Sequence, residues 1–138
     1  MRDDSKFQEG VRNICRRDSR FHPRAYEFVA AGVTHASRRI RERENRRRHI
    51  SGPELLEGLR DLALSRFGPL ALEVLAEWGV KRTEDFGSIV FNLVEEGLLG
   101  ASDEDSPADF ANGYDFREAF VAPFEETGDF PDDLPPLG

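Results

Sequence analysis

Seven arginines stand within eleven residues of this chain: Arg38, Arg39, Arg41, Arg43, Arg46, Arg47 and Arg48. Only Glu42 and Glu44 oppose them, so residues 38–48 carry a local net charge of +5. Guanidinium groups at this density can do three kinds of chemistry. They can grip phosphates, with an affinity that falls steeply as salt rises. They can finish a helix, because cations in the last turn complement the macrodipole and the pairs Glu42/Arg46 and Glu44/Arg48 have i,i+4 spacing. They can also dock on carboxylates, in the acidic half of this chain or of a second copy. No aromatic residue interleaves with the arginines, so stacking on single-stranded bases is not indicated.

Catalytic and metal chemistry find little to work with. His22, His35 and His49 lie in separate contexts, and none pairs closely with Cys15 or another histidine. A zinc site needs clustered Cys and His at recognised spacing. Cys15 lies on the apolar stripe of a helical pattern, which suits a structural thiol better than a nucleophile. No phosphate-cradling Gly-rich loop precedes Lys-Ser/Thr, and no G-x-S-x-G is present. The carboxylates of Glu95-Glu96 and residues 103–105 follow no cation-loop pattern. The expectation is a protein that is not an enzyme and holds no metal or cofactor.

The elements that must position these residues are mainly helical. Phe7, Val11, Ile14 and Cys15 mark an amphipathic helix over 5–17, with Ser5 or a preceding Asp as its cap. The Phe21-His22-Pro23 junction interrupts it. From Pro23 a second helix shows Tyr26, Val29, Val33, Ala36 and Ile40 on one stripe, and its pattern runs on into the arginines. His49-Ile50 reads as a break or a very short strand. Ser51-Gly52-Pro53-Glu54 has capping-box spacing and opens a helix carrying Leu55, Leu56, Leu59, Leu62, Ala63 and Phe67, which Gly68-Pro69 ends. Leu70, Ala71, Val74, Leu75 and Trp78 form the next stripe, closed by Gly79 as a left-handed cap. Thr83 is placed to cap a further helix with Phe86, Ile89, Val90, Leu93 and Val94, stopped by Gly97.

Residues 70–116 have the order of a winged helix-turn-helix. A helix, a Gly79-Val80 turn and a second helix ending in Glu96-Gly97-Leu98-Leu99 precede a polar excursion and an aromatic return, Tyr114-Asp115-Phe116. The expected fold is therefore mainly α, with a winged-helix-like core over 49–116 that includes a short β hairpin. Amphipathic N-terminal helices would pack beside it. The surface of that core is unsuited to DNA. Its second helix would present Glu84, Asp85, Ser88, Asn92 and Glu95, with only Lys81 and Arg82 as counterweights. A carboxylate about 4 Å from a phosphate is unfavourable by roughly 1 kcal/mol in water and about 4 in a partly desolvated interface. The wing loop adds Asp103, Glu104, Asp105 and Asp109. Lys81, Arg82, Glu84, Asp85, Ser88 and Asn92 are accordingly read as a protein-contact face.

The segment 49–120 resembles a bacterial family found mainly in Planctomycetes and Verrucomicrobia. The likeness is carried by HISGPELLEGLRDLALSRFGPLALEVLAEWGVKRTEDFGSIVFNLVEEGLLG, the downstream DSPADF and GYDFREAF, and the upstream AYEFV. It covers about two thirds of the chain and implies a bacterial, cytosolic origin. It implies no activity, substrate or partner, because none is assigned to that family.

Length and charge bound the rest. The 138 residues suit one domain over 1–124, followed by an acidic, Pro-rich and mobile tail over 125–138. The net charge of −8 hides a strong asymmetry: residues 1–48 carry +7 and residues 49–138 carry −15. No apolar run approaches the roughly 20 residues of a membrane span, and the acidic start MRDDSKFQEG is unlike a signal peptide. One cysteine excludes an internal disulfide and fits a reducing compartment, the cytoplasm. The leading expectation is a non-catalytic protein-interaction or regulatory module, with a protein partner or self-association. The alternative is an RNA- or DNA-associated protein that binds phosphates through residues 38–48.

Overall fold

The computed structural model describes residues 2–100 and 107–125. Helix α1 spans Arg2–Arg17 and buries Val11 and Ile14. It begins upstream of Ser5, so Ser5 lies inside the helix and does not cap it. Helix α2, Pro23–Glu44, is capped by His22, whose Nδ1 accepts the Arg24 N–H at 3.0 Å. Pro23 takes the first helical position, where no intrahelical N–H is required. The inner face of α2 buries Tyr26, Phe28, Val29, Ala36 and Ile40. The helix runs on through Arg38, Arg39, Arg41 and Arg43 but does not reach the last three arginines. It stops at Glu44, and Asn45 closes it in a left-handed conformation, φ 56°. Past Ile40 no apolar side chain remains to hold another turn against the core.

Helix α3, Gly52–Phe67, starts with the expected capping box. The Glu54 N–H donates to Ser51 Oγ at 3.2 Å, and the Ser51 N–H donates to Glu54 Oε1 at 2.9 Å. Its buried face of Leu55, Leu56, Leu59 and Ala63 packs along α2. A short 3₁₀ turn, Gly68–Leu70, leads into α4, Ala71–Glu77. At the end of α4 the Val80 N–H reaches the Leu75 carbonyl and the Gly79 N–H the Ala76 carbonyl, a Schellman closure with Gly79 at φ 89°. Val80 is fully buried beneath the turn.

Helix α5, Thr83–Glu95, ends in a second closure of the same kind, from Leu98 N–H to the Leu93 carbonyl, with Gly97 at φ 79°. Thr83 does not cap α5. Arg82 holds the cap position without a side-chain bond. Thr83 Oγ1 instead donates to the Phe110 carbonyl at 2.6 Å and accepts the Gly113 N–H at 3.0 Å, tying the returning chain to α5.

The expected hairpin is the main correction to the fold: the described residues contain no β-strand. His49-Ile50 is irregular. Where the second wing strand was expected, Asp115 Oδ2 accepts the Glu118 N–H at 3.1 Å and caps helix α6, Phe116–Phe120. A side chain committed to an N-cap starts a helix, not a ladder. Helix α7, Ala122–Glu125, follows. Phe110, in a 3₁₀ turn over Pro107–Phe110, is buried against α3 and α5. Tyr114 donates its hydroxyl to the Leu56 carbonyl at 2.9 Å, and Phe116 and Phe120 stack edge to face at 5.1 Å. One contiguous apolar cluster thus runs from Val11 of α1 to Phe120 of α6. The acidic residues 103–105 and the tail over 126–138 lie outside the described residues.

Candidate functional site

The arginine segment divides into two groups once folded. Arg39 reaches across from α2 to Asp61 of α3 as an ion pair. Arg48 lies between Glu44 at the end of α2 and Glu54 in the first turn of α3, with Nη2 at 2.8 Å from a carboxylate oxygen of each. Its Nη1 also donates to the His49 carbonyl at 3.1 Å. Arg46 sits at 3.5 Å from Glu44. The pair Glu42/Arg46 does not form, Arg46 being turned to Glu44 instead.

The Arg48 clamp has electrostatic consequences. Its guanidinium, followed by the Ser51 N–H, holds the Glu54 carboxyl down at about 2. Glu44 is lowered for the same first reason, and Arg48 itself is raised by both carboxylates. Arg39 and Arg48 therefore serve the α2–α3 junction, and Arg46 stays beside Glu44 at the end of α2. Arg38, Arg41, Arg43 and Arg47 are exposed and make no ion pair among the described residues.

Arg38, Arg41 and Arg47 line one open basin of about 450 Å³, together with Arg48, Val33, Thr34 and Ser37. Arg43 belongs to a separate hollow beside Arg39, Glu54 and Glu57. Against the basin lies a second concavity of about 170 Å³, lined mainly by Val33, Leu55, Val90, Phe91, Val94 and Phe110. Ser37, His49, Ile50 and Leu99 also line it. Val33 and Ser37, one turn apart on α2, border both concavities. This apolar recess was not anticipated from the sequence. Its only trace there is Phe91, which widens the apolar face of α5 beyond the stripe of residues 86, 89, 90, 93 and 94.

The six residues expected to form a contact face on α5 are only partly outward. Lys81 and Arg82 are exposed. Asp85 accepts the Lys81 N–H at 2.8 Å, and Glu84 accepts the Asn112 N–H at 3.3 Å. Asn92 turns inward and donates to Asp18 at 2.9 Å and to the Tyr26 hydroxyl oxygen at 3.1 Å. Ser88 borders a shallow hollow beside Arg20 and Phe91. Asp18 also takes the Arg20 guanidinium at 2.7 Å, which depresses its carboxyl strongly. Half-buried Cys15 is raised first by desolvation and then by Asp18, so it is a thiol at neutral pH. Among the described residues, no group of three or more His, Cys, Asp or Glu is placed to hold a metal ion. No described helix is long and apolar enough to cross a membrane.

Comparison of the chain with family models, curated proteins and solved structures finds no match.

Proposed function

We propose that this chain is a non-catalytic interaction module of the bacterial cytosol that engages an acidic protein partner. Its binding surface is the basic end of α2 together with the apolar recess beside it. One observation carries this reading: Arg38, Arg41 and Arg47 stand without acidic partners among the described residues, around a basin that adjoins an apolar recess. Their neighbours Arg39 and Arg48 are held by the protein's own carboxylates, and Arg43, also exposed, faces a separate hollow, so these three are the charges that the basin offers to an external ligand. Phosphates would suit the same arginines, but a purely electrostatic grip on nucleic acid has no use for the recess.

The test is capture from a nuclease-treated lysate on immobilised protein. Wild type is expected to retain proteins at low salt that are released at high salt and are absent from the Arg38→Ala/Arg41→Ala/Arg47→Ala variant. Retention seen only when the nuclease is left out, or that the triple variant matches, overturns the reading.

A further inference from the structure

The two concavities have complementary requirements, and both are met by one short stretch of ligand. The apolar recess, about 170 Å³, is close in size to an engineered cavity of about 150 Å³ that accepts benzene. It has room for one bulky side chain and not for an extended acyl chain. The basin next to it, about 450 Å³, gathers Arg38, Arg41 and Arg47 without a countercharge among the described residues. Three like charges on one rim repel one another, and carboxylates placed between them relieve that repulsion. Arginine forks also match carboxylates in a bidentate manner. Because Val33 and Ser37 belong to both walls, a ligand group in the recess is directly beside the basin. At about 3.3 Å per residue, an extended chain anchored in the recess brings its next one to three residues onto the arginines.

Resting on the reading of this chain as an interaction module, we propose that the occupant is a linear acidic peptide segment of a partner protein. A single Phe- or Leu-sized side chain fills the recess against Val90, Phe91 and Phe110. Flanking Asp or Glu residues pair with Arg38, Arg41 and Arg47. The apolar anchor supplies the affinity of a buried hot spot, and the charges set its orientation and its salt dependence. Arg39 and Arg48 act only as positioning residues, by fixing the end of α2 on α3.

Fluorescence anisotropy with a labelled synthetic peptide, GDEFEDG, tests this on the full chain. The expected result is binding that weakens with salt. It also weakens about tenfold or more when the central Phe is replaced by Ala, and likewise when the acids become Asn and Gln. The triple arginine variant loses about tenfold or more in the same assay. Ser37→Trp, an exposed substitution on the rim of both concavities, weakens binding with an unchanged far-UV circular dichroism spectrum, whereas Arg43→Ala binds as wild type. Equal affinity for the Phe and Ala peptides overturns the anchor, and a single-stranded oligonucleotide bound tighter than the peptide overturns the ligand class. If no peptide binds while arginine-dependent protein capture persists, the linear-peptide mode falls and the module reading stands. If capture is absent as well, both fall.

Discussion

At Gly79 a single hydrogen atom in place of a side chain decides how closely the turn after α4 can approach the link between α1 and α2. Its φ is 89°, and a Cβ there would lie 2.3 Å from the Arg20 carbonyl oxygen. The neighbouring His22 N–H donates to the Trp78 carbonyl at 3.0 Å, so the backbone cannot retreat without losing that bond. Gly97 has a similar φ of 79° but nothing within 4 Å of its missing Cβ. Gly97→Ala should therefore cost only the left-handed penalty, about 1–2 kcal/mol, whereas Gly79→Ala adds a backbone collision and should exceed it. Urea unfolding of the two variants measures the difference, and equal costs would show that the collision relaxes freely. Glu54 gives a second prediction at this scale. Its carboxyl falls from an ordinary 4.5 to about 2, first through Arg48, so the ionised form is favoured in the folded state. The stabilisation is complete above about pH 4.5 and is lost as pH falls towards about 2. Glu54→Gln should thus lower Tm near neutrality, with the gap to wild type closing on acidification through that window. The side chain remains about a third exposed, at 31%, so screening keeps the effect modest.

At the scale of elements, the α2–α3 pair is the scaffold on which the arginines are sorted. The helices approach closely because small residues face each other. A Cβ on Gly58 would stand 2.9 Å from the Ala36 Cβ. Gly58→Ala gains helix propensity, worth about 1 kcal/mol, yet must push α2 away. A net destabilisation is expected, since overpacking typically costs about 1–3 kcal/mol. The double variant Gly58→Ala/Ala36→Gly should show favourable coupling in a thermodynamic cycle, and strict additivity would refute the contact. The same separation of α2 from α3 would strain the ion pair of Arg39 with Asp61 and the clamp of Arg48. Peptide affinity should fall in Gly58→Ala even though no binding residue has changed.

For the whole molecule, the chain that returns after Pro107 is a wedge. Phe110 is buried between α3 and α5, its ring edge to face with Phe91 at 6.3 Å, and Thr83 holds its carbonyl. Phe110→Ala should cost about 3–5 kcal/mol by urea unfolding and should enlarge the apolar recess that this ring helps to line. A loss below about 1 kcal/mol, the size of an ordinary surface substitution, would mean that the wedge is not a structural member. The charge asymmetry also resolves at this level. Two of the basic segment's arginines are neutralised by Asp61 and Glu54 of the acidic half, and Arg38, Arg41 and Arg47 of the exposed remainder share one rim.

The sequence by itself determined the helices and most of their ends. The Ser51 capping box, Pro23 at the start of α2 and the glycine closures at Gly79 and Gly97 rest on contacts within a few residues, so their signals are local and readable. Helical turns over 117–124 are legible in the sequence, but the aromatic return around Tyr114 reads as a strand before them, because Asp115 suits a strand as well as a cap and only the fold shows its side chain on the Glu118 N–H. Thr83 was misread for a related reason, since its partners at 110 and 113 are about thirty residues away. The i,i+4 spacing already offered the Glu44/Arg48 pair, which forms; only the tertiary structure decided that Arg39 takes Asp61, that Arg48 also takes Glu54, and that a recess lies beside them. Ion pairs and cavities depend on how α2, α3 and α5 approach one another in space, and spacing along one chain carries no record of that distance.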